Sequence, residues 1–341
     1  MKYWYLVAFA TLFWACSESN MAGGTSEEAE GIVAIKDREV AGVTQKGPFL
    51  VGSSVTIQEL DGKTLIQTGR SFKTSVKTNL GDFAVKNVNL ASQYALLEVN
   101  GYFRNEVTGK NSEGMISLNA LTDLTNRNNV NVNVLTHLET DRVLNLVQKQ
   151  GMSFADAKKQ AESEIFSSFG FTNSLKSPED MNILSGENSD VLFALSVLML
   201  GNGSVADFSE RLALVARSFA ENGEWRSPEK GEVVDWAYQI ESENNEEYVE
   251  KSTLSKIWDN VESWNLRDGS PLFFAPYIDG LLYVFWINEY NLGLCDKNHS
   301  GEMRKNTNPY SKYYDKEFVC YYNNESRCTD DGIGCRWLLA E

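Results

Sequence analysis

The chain has 341 residues, 42% of them hydrophobic, and its formal net charge at pH 7 is −16. A chain of this size can bury more than one hydrophobic core. Because no basic cluster interrupts the acidic background, the composition argues against binding to nucleic acid and against electrostatic attraction to an anionic membrane. The glycine-rich phosphate-binding motifs are also missing, so we expect no nucleotide ligand.

Residues 1–15 are predicted to be a signal peptide. The apolar run Tyr3–Ala15 has 13 residues, whereas a transmembrane helix needs about 20. The stretch Phe13-Trp14-Ala15-Cys16 resembles the lipobox of a bacterial lipoprotein. That resemblance implies that Cys16 begins the mature chain and carries a lipid, which would anchor the protein in a membrane. We therefore expect a cell-envelope protein, an outer-membrane lipoprotein on the periplasmic side or the cell surface. The alternative is an ordinary signal peptide with a chance cysteine.

Residues 16–39 are predicted to be an acidic flexible tether, because small and acidic residues cannot build a core. Residues 40–118 alternate apolar and polar side chains, as in Val55–Gln58, and contain the turn signals Asp61-Gly62 and Asn100-Gly101. This pattern predicts a small antiparallel β-sandwich of about seven strands. Two separate hairpin sheets are the alternative, although isolated hairpins are barely stable.

Three stretches of this region resemble a carboxypeptidase-regulatory-like (transthyretin-type) β-sandwich: Gln45–Phe49, Gly52–Ile57 and Gly81-Asp82-Phe83. In that family a glycine two positions before an aromatic residue closes a turn, and the aromatic enters the core. Gly81 and Phe83 match this pattern, but Lys77-Thr78-Asn79-Leu80 stands ahead of the glycine, where the family usually has Thr-Asp. The resemblance implies a fold, and it implies no peptidase activity.

A longer segment, from Gln45 to about Phe169, resembles a family of uncharacterised exported lipoproteins of anaerobic, fibre-degrading bacteria. Besides the sandwich, the stretches Asn131–Glu139 and Gly151–Ala157 carry this likeness. The ending of the chain, with two cysteines and Arg336-Trp337, is similar to a tail repeated among exported proteins of those bacteria. These motifs carry no known catalytic residue, so the resemblance implies none here.

Residues 119–266 are predicted to form a bundle of five or six helices. The apolar period becomes helical from about residue 134. The pairs Ser153/Asp156 and Ser204/Asp207 have the spacing of N-terminal helix caps. The stretch Asp190–Leu200 is apolar on most sides, so we expect it at the centre of the bundle.

Residues 267–341 are predicted to be an irregular module that disulfides hold together. Four cysteines lie in the last 47 residues, and an even, clustered number in an exported chain favours two disulfides. Three pairings exist, and the short loops favour Cys295–Cys320 and Cys328–Cys335. A zinc site is the alternative, but the spacings lack a C-x₂-C knuckle and His299 is the only histidine nearby.

The same module is rich in tyrosine. Exposed rings stack on the apolar faces of sugars while polar neighbours bind the hydroxyl groups, so these residues are a candidate polysaccharide-binding surface. The alternative is that the rings fill the core of a module too small to bury enough aliphatic side chains. The candidate ligand-binding residues are Tyr310, Tyr313, Tyr314, Tyr321 and Tyr322, flanked by Asn306, Asn308, Asn323 and Asn324.

The sequence offers no catalytic constellation. Its only histidines are His137, at a predicted helix start, and His299, in a polar loop. A catalytic site that pairs a nucleophile with a histidine would have to use one of these two. Two carboxylates suffice for glycoside hydrolysis, but with 47 acidic residues such pairs are unavoidable. No calcium-binding ladder is present. We therefore expect no enzyme activity, no metal and no cofactor.

Together these patterns predict a multi-domain α+β protein with an N-terminal antiparallel β-sandwich, a central α-helical bundle and a small disulfide-stapled C-terminal module. The expected function is a non-catalytic binding or scaffolding role in the envelope, toward a polysaccharide or a partner protein. The alternatives are an envelope glycan hydrolase that uses paired carboxylates and a purely structural periplasmic lipoprotein.

Overall fold

The computed structural model describes residues 31–171, 175–226, 228–243, 252–266, 275–321 and 335–340. The predicted signal peptide, Cys16 and the tether up to residue 30 lie outside the described residues, so what the sequence predicts of them stays a prediction. Within the described part the protein is a mixed α+β protein, as predicted, with ten strands and seven helices.

The strands fall into two groups along the chain, seven before the first helix and three after the last. The first strand begins inside the range predicted as a tether, because Ile35 is buried and pairs with Leu90. The strands are β1 (Ile35–Gln45), β2 (Ser54–Leu60), β3 (Gln67–Ser75), β4 (Asp82–Leu90), β5 (Tyr94–Gly101), β6 (Ile116–Asp123), β7 (Val132–Asn133), β8 (Met303–Lys305), β9 (Glu317–Tyr321) and β10 (Arg336–Leu339).

The first seven strands form two sheets, and both sheets contribute to one core. One sheet has the antiparallel order β3-β2-β5-β6, and the other has the order β4-β1-β7. In the second sheet β7 runs parallel to β1, which the alternating pattern did not predict. Val55 and Leu97 from the first sheet and Val40 and Phe83 from the second are buried in the same hydrophobic cluster. The sheets also extend past residue 118, because β6 and β7 still pair with β5 and β1.

One of the two predicted hairpin turns is correct and the other is wrong. At Asp61-Gly62 the Asp61 carboxylate accepts the backbone N–H groups of Lys63 and Thr64, and β2 and β3 pair on either side. Asn100-Gly101 is no turn, since Gly101 pairs with Ile116 inside the β5–β6 ladder. A Cβ atom at Gly101 would stand 2.1 Å from the Ser53 hydroxyl oxygen, so this glycine permits close packing.

In the described residues between 119 and 266 there are six helices, within the predicted number. Ser153 and Ser204 each accept a backbone N–H three residues on, which confirms both predicted caps. Every residue of the third helix except Asp190 is buried, as expected for a central helix. The helices of the described part are α1 (Val134–Gln150), α2 (Phe154–Ser168), α3 (Ser189–Leu200), α4 (Val205–Asn222), α5 (Glu229–Glu243), α6 (Thr253–Ser263) and α7 (Ala275–Glu289), with a short 3-10 turn at Pro178–Asp180.

The seventh helix contradicts the prediction that the chain is irregular beyond residue 267. Helix α7 packs against α3 and α5, and it is apolar on most sides. A helix that is apolar on most sides shows no helical period in sequence, which is why the pattern missed it. The antiparallel sheet β10-β9-β8 follows α7.

The stretch Gln45–Phe49 joins the sheets to the helices. The Gln45 side chain accepts the N–H of Ile183 at 2.8 Å. The ammonium group of Lys46 is fully buried, 2.5 Å from the Glu106 carboxylate, and it also faces the Phe208 ring of α4. One hydrophobic cluster consequently runs from Ile35 in β1 to Trp337 in β10. Residues at this junction therefore hold the N-terminal sheets against the helices.

Among the described helices, none is by itself long and apolar enough to cross a bilayer. Helices α3 and α4 reach the required length and composition only as a pair, and the chain bends by 110° between them.

Candidate binding site

A buried carboxylate on α5 fixes the chain segment that carries most of the candidate tyrosines. We call residues 306–316 the tyrosine loop. The Asp235 carboxylate is almost fully buried and accepts three hydrogen bonds, from the Tyr290 hydroxyl at 2.7 Å, the Ser311 hydroxyl at 2.6 Å and the Lys312 backbone N–H at 2.8 Å. Hydrogen bonds to a charged acceptor are stronger than neutral ones. The loop is therefore held in one position on α5.

Two asparagines shape the loop from inside. Asn306 accepts the N–H of Asn308 at 2.9 Å and donates to the Ser311 hydroxyl at 2.9 Å. Asn308 accepts the N–H of Tyr310 at 3.0 Å, and both asparagines are buried. Burial and these bonds within the loop argue against the expectation that the two side chains bind sugar hydroxyls. Asn323 and Asn324 lie outside the described residues.

The candidate tyrosines differ in exposure. Tyr310 and Tyr314 in the tyrosine loop are 57% and 55% exposed, and Tyr321 at the end of β9 is 53% exposed. Tyr313 is partly buried and meets the Tyr238 ring edge-on, with 4.9 Å between ring centroids. Tyr322 lies outside the described residues. The loop thus presents two rings to solvent and turns a third inward.

The inward-facing rings form a compact aromatic core. Tyr238 of α5 contacts Trp286 of α7, Tyr290 just after that helix and Phe318 of β9, with centroid distances of 5.0, 6.0 and 5.5 Å. The core-filling interpretation is therefore correct for these rings, whereas sugar binding by the exposed rings of Tyr310, Tyr314 and Tyr321 stays a prediction. Burial raises the pKa of Tyr290 well above its ordinary value, so its hydroxyl stays a proton donor to Asp235.

The predicted pair Cys295–Cys320 is a disulfide, with 5.4 Å between its Cα atoms, and both cysteines are buried. It joins the segment after α7 to β9. Cys335 is also disulfide-bonded. Its partner lies outside the described residues, as does Cys328, so the second predicted pair stays a prediction. In the described ranges no three histidine, cysteine or acidic side chains lie close enough together to hold a metal ion.

A buried ionic cluster lies away from the tyrosine loop, where α1, α2, β6 and the 3-10 turn meet. The Lys158 ammonium donates to the Leu121 carbonyl at 2.9 Å and to the Glu139 carboxylate, and Glu179 lies 3.4 Å away. Burial raises the pKa of Glu139 to about 8, although Lys158 partly opposes the shift. This cluster was not predicted from the sequence. One feature of the sequence could have indicated it: Lys158 directly follows Ala157, which lies on the apolar stripe of α2.

The two histidines have different surroundings. Burial lowers the pKa of His137 to about 4, and its Nδ1 has no hydrogen-bond partner among the described residues. His299 lies 2.7 Å from the Asp296 carboxylate in the loop before β8. The two side chains belong to different parts of the fold, one in α1 and the other after α7.

Comparisons of this chain with known protein families, with curated proteins and with solved structures found no match. A function can therefore be inferred only from the residues of this chain. Among them, the tyrosine loop is the group of candidate side chains that the structure brings together on one anchored segment.

Proposed function

We propose that this protein is a lipid-anchored cell-envelope protein that binds polysaccharide through its tyrosine loop and catalyses no reaction on it. The observation that carries the proposal is the pair of solvent-exposed rings, Tyr310 and Tyr314, on a loop that the buried Asp235 holds in place. A ring fixed before the ligand arrives loses little conformational freedom on binding.

The surroundings of the two rings suit a sugar. Lys312, Asp315 and Lys316 are exposed beside them, and Lys305 pairs with Asp315 at 3.0 Å. Such groups donate and accept hydrogen bonds, while the rings cover the apolar C–H faces of a sugar unit.

The placement in the envelope rests on the N-terminal sequence. The lipobox resemblance at Cys16, the acidic tether and the disulfides all agree with export and a lipid anchor. We expect metabolic labelling with palmitate to modify the native protein, and Cys16→Ser to abolish the label and release the protein from the membrane fraction. An unlabelled native protein would contradict the anchor and leave the sugar-binding proposal to be judged on its own test.

We also propose that the two N-terminal sheets are the layers of a transthyretin-type β-sandwich. Gly81 has φ +89 and its backbone lies against Thr44, while Phe83 is buried between the sheets. These are the roles that the family resemblance gives to the glycine and the aromatic residue. The fold would serve as the part of the body nearest the membrane.

The sugar-binding proposal is tested by affinity electrophoresis in gels containing soluble xylan, β-glucan or mannan. We expect retardation in at least one gel, and the double variant Tyr310→Ala, Tyr314→Ala should weaken it about tenfold, since each ring contributes on the order of 0.5–1.5 kcal/mol. Tyr321→Ala is the matched control, because that ring is equally exposed but lies outside the loop. No retardation by any of the three polysaccharides would refute the proposal.

The same samples test the hydrolase alternative. We expect no release of reducing ends from these polysaccharides during long incubation. An activity that a single Asp→Asn or Glu→Gln change abolishes would contradict a purely binding role and support a pair of catalytic carboxylates instead.

A further inference from the structure

A polar pocket of about 520 Å³ opens between four helices, beside the tyrosine loop. We call it the polar pocket. It lies between the C-terminal half of α2, the end of α4 with the segment that follows, the start of α5 and the end of α7. Its volume is in the range of small-molecule binding sites. The side chains that carry the argument are Ser163, Glu164, Ser167, Glu224, Lys230 and Glu289.

Each carboxylate of the polar pocket is paired with a cation. Glu164 receives two hydrogen bonds from the Arg142 guanidinium, at 2.7 and 2.8 Å. Glu289 lies 2.6 Å from the Lys230 ammonium, and Glu224 pairs with Arg226. The charges of the walls thus cancel. A charged ligand would have to displace one of these pairs, whereas an uncharged one would not.

The walls recognise a ligand by hydrogen bonding and not by stacking. The Trp225 indole is part of the lining but is only 2% exposed, so it offers no open ring face. Ser163 and Ser167, one helical turn apart on α2, are exposed and present hydroxyl groups that both donate and accept. Carboxylates accept and the ammonium of Lys230 donates. This mixture matches a ligand with several hydroxyl groups.

The floor of the polar pocket is preformed. Gly223 ends α4 with φ +70, and a Cβ atom there would stand 2.5 Å from the Glu164 carboxylate and 2.7 Å from the Arg142 guanidinium. Only glycine lets the ion pair lie against this backbone. Because Arg142 also donates to the Ala220 carbonyl at 3.3 Å, the pair is fixed before any ligand enters.

The polar pocket and the tyrosine loop are neighbours through α5. Lys230 lines the pocket, and the next residue, Gly231, lies against the Tyr310 carbonyl, where a Cβ atom would stand 2.3 Å from that oxygen. We infer that the polar pocket binds one or two uncharged sugar units, such as the end or a side branch of the polysaccharide that the tyrosine loop contacts. The choice of a saccharide rests on the proposed function, whereas the requirement for an uncharged polyol follows from the pocket itself.

The test is a titration of the full-length protein in detergent with defined small sugars, followed by saturation-transfer NMR and calorimetry. The uncharged probes are methyl β-glucoside, cellobiose, xylobiose and mannobiose, and the charged probes are glucuronate and glucosamine. We expect at least one uncharged sugar to bind with millimolar affinity and the charged sugars to bind at least about tenfold more weakly. Charged sugars that bind as tightly as uncharged ones would overturn the inference.

Variants locate the binding. Ser163→Trp and Ser167→Phe place large side chains at the rim of the polar pocket, and each should abolish sugar binding while circular dichroism stays native. Ala155→Trp is the control, since Ala155 is exposed on the same helix but does not line the pocket. The double variant Tyr310→Ala, Tyr314→Ala should weaken polysaccharide retardation about tenfold and keep the small-sugar affinity.

The outcomes separate this inference from the proposed function. Small-sugar binding without polysaccharide retardation would refute the role of the tyrosine loop and leave the polar pocket supported. Retardation with no binding of any uncharged sugar at about 50 mM, a concentration that fills most of a site with millimolar affinity, would refute the pocket alone. Sugar binding that both rim variants retain would also overturn the inference.

Discussion

At the scale of single residues, Asp235 determines the position of the tyrosine loop. The variant Asp235→Ala would leave the donors of Tyr290, Ser311 and Lys312 without their acceptor in a buried place. We expect a loss of roughly 3 kcal/mol of unfolding free energy and the loss of polysaccharide retardation. Urea denaturation and affinity electrophoresis measure the two effects. Tyr290→Phe, which removes one donor, should cost about 1 kcal/mol and leave binding intact. Equal effects of the two variants would contradict this role of Asp235.

Glu139 gives a second prediction at this scale, a fall in stability at mildly alkaline pH. Its pKa is about 8 in the folded protein against 4.5 ordinarily, so the folded state holds a proton that the unfolded chain releases. This contribution to stability is complete below pH 4.5 and is lost as the pH rises to 8. The pKa of His137 is lowered from 6.5 to about 4, so its contribution is lost only as the pH falls below 6.5. Of the two groups, only Glu139 changes the stability between pH 6.5 and pH 8.

The measurement is the urea midpoint at pH 6.5 and at pH 8, the interval in which Glu139 titrates and His137 does not. We expect the midpoint of the native protein to fall over this interval and that of Glu139→Gln to fall much less, because the amide does not titrate. Lys158 keeps the Leu121 carbonyl and Glu179 as partners in the variant. Parallel falls in the two proteins would show that Glu139 does not cause the dependence.

At the scale of secondary-structure elements, Gly231 sets how closely the tyrosine loop approaches α5. A Cβ atom there would overlap the Tyr310 carbonyl. We expect Gly231→Ala to cost about 1–3 kcal/mol and to weaken polysaccharide retardation, because the loop must move away. Gly280→Ala is the matched control within α7, where nothing lies within 4 Å of the new atom. It should stabilise the protein by roughly 0.5–1 kcal/mol, since alanine favours the helix. If Gly280→Ala destabilised the protein and Gly231→Ala did not, this role of Gly231 would be refuted.

The features that the sequence predicts well are those formed within one secondary-structure element or between neighbouring ones. Local signals suffice for the caps at Ser153 and Ser204 and for the local disulfide Cys295–Cys320, because the interacting groups are close in the chain. The anchoring of the tyrosine loop is different, since Asp235 and Ser311 are 76 positions apart. The Lys46–Glu106 pair spans 60 positions, and each residue alone has the pattern of a surface charge. Contacts between residues so far apart in the sequence arise from the tertiary structure, so a local sequence pattern cannot predict them.

At the scale of the whole molecule, the continuous hydrophobic cluster connects the N-terminal sheets to the C-terminal module. The Lys46 ammonium, paired with Glu106 and facing Phe208, strengthens this junction. Asn260 of α6 also donates to the carbonyls of Glu106 and Val107, at 2.9 and 3.0 Å. Breaking the sheets therefore exposes surface that the helices bury, and the two parts should unfold together.

Tryptophan fluorescence tests this cooperativity, because after Cys16 every tryptophan lies at or beyond residue 225, outside the N-terminal sheets. Leu97→Ala removes a fully buried side chain from β5, which should cost about 2–5 kcal/mol. If the molecule unfolds as one unit, the urea midpoint of the fluorescence transition falls by the same amount as that of far-UV circular dichroism. Ile66→Ala, at an exposed position of the same region, should leave both midpoints unchanged. A fluorescence midpoint that Leu97→Ala does not move would mean that the sheets unfold as an independent domain.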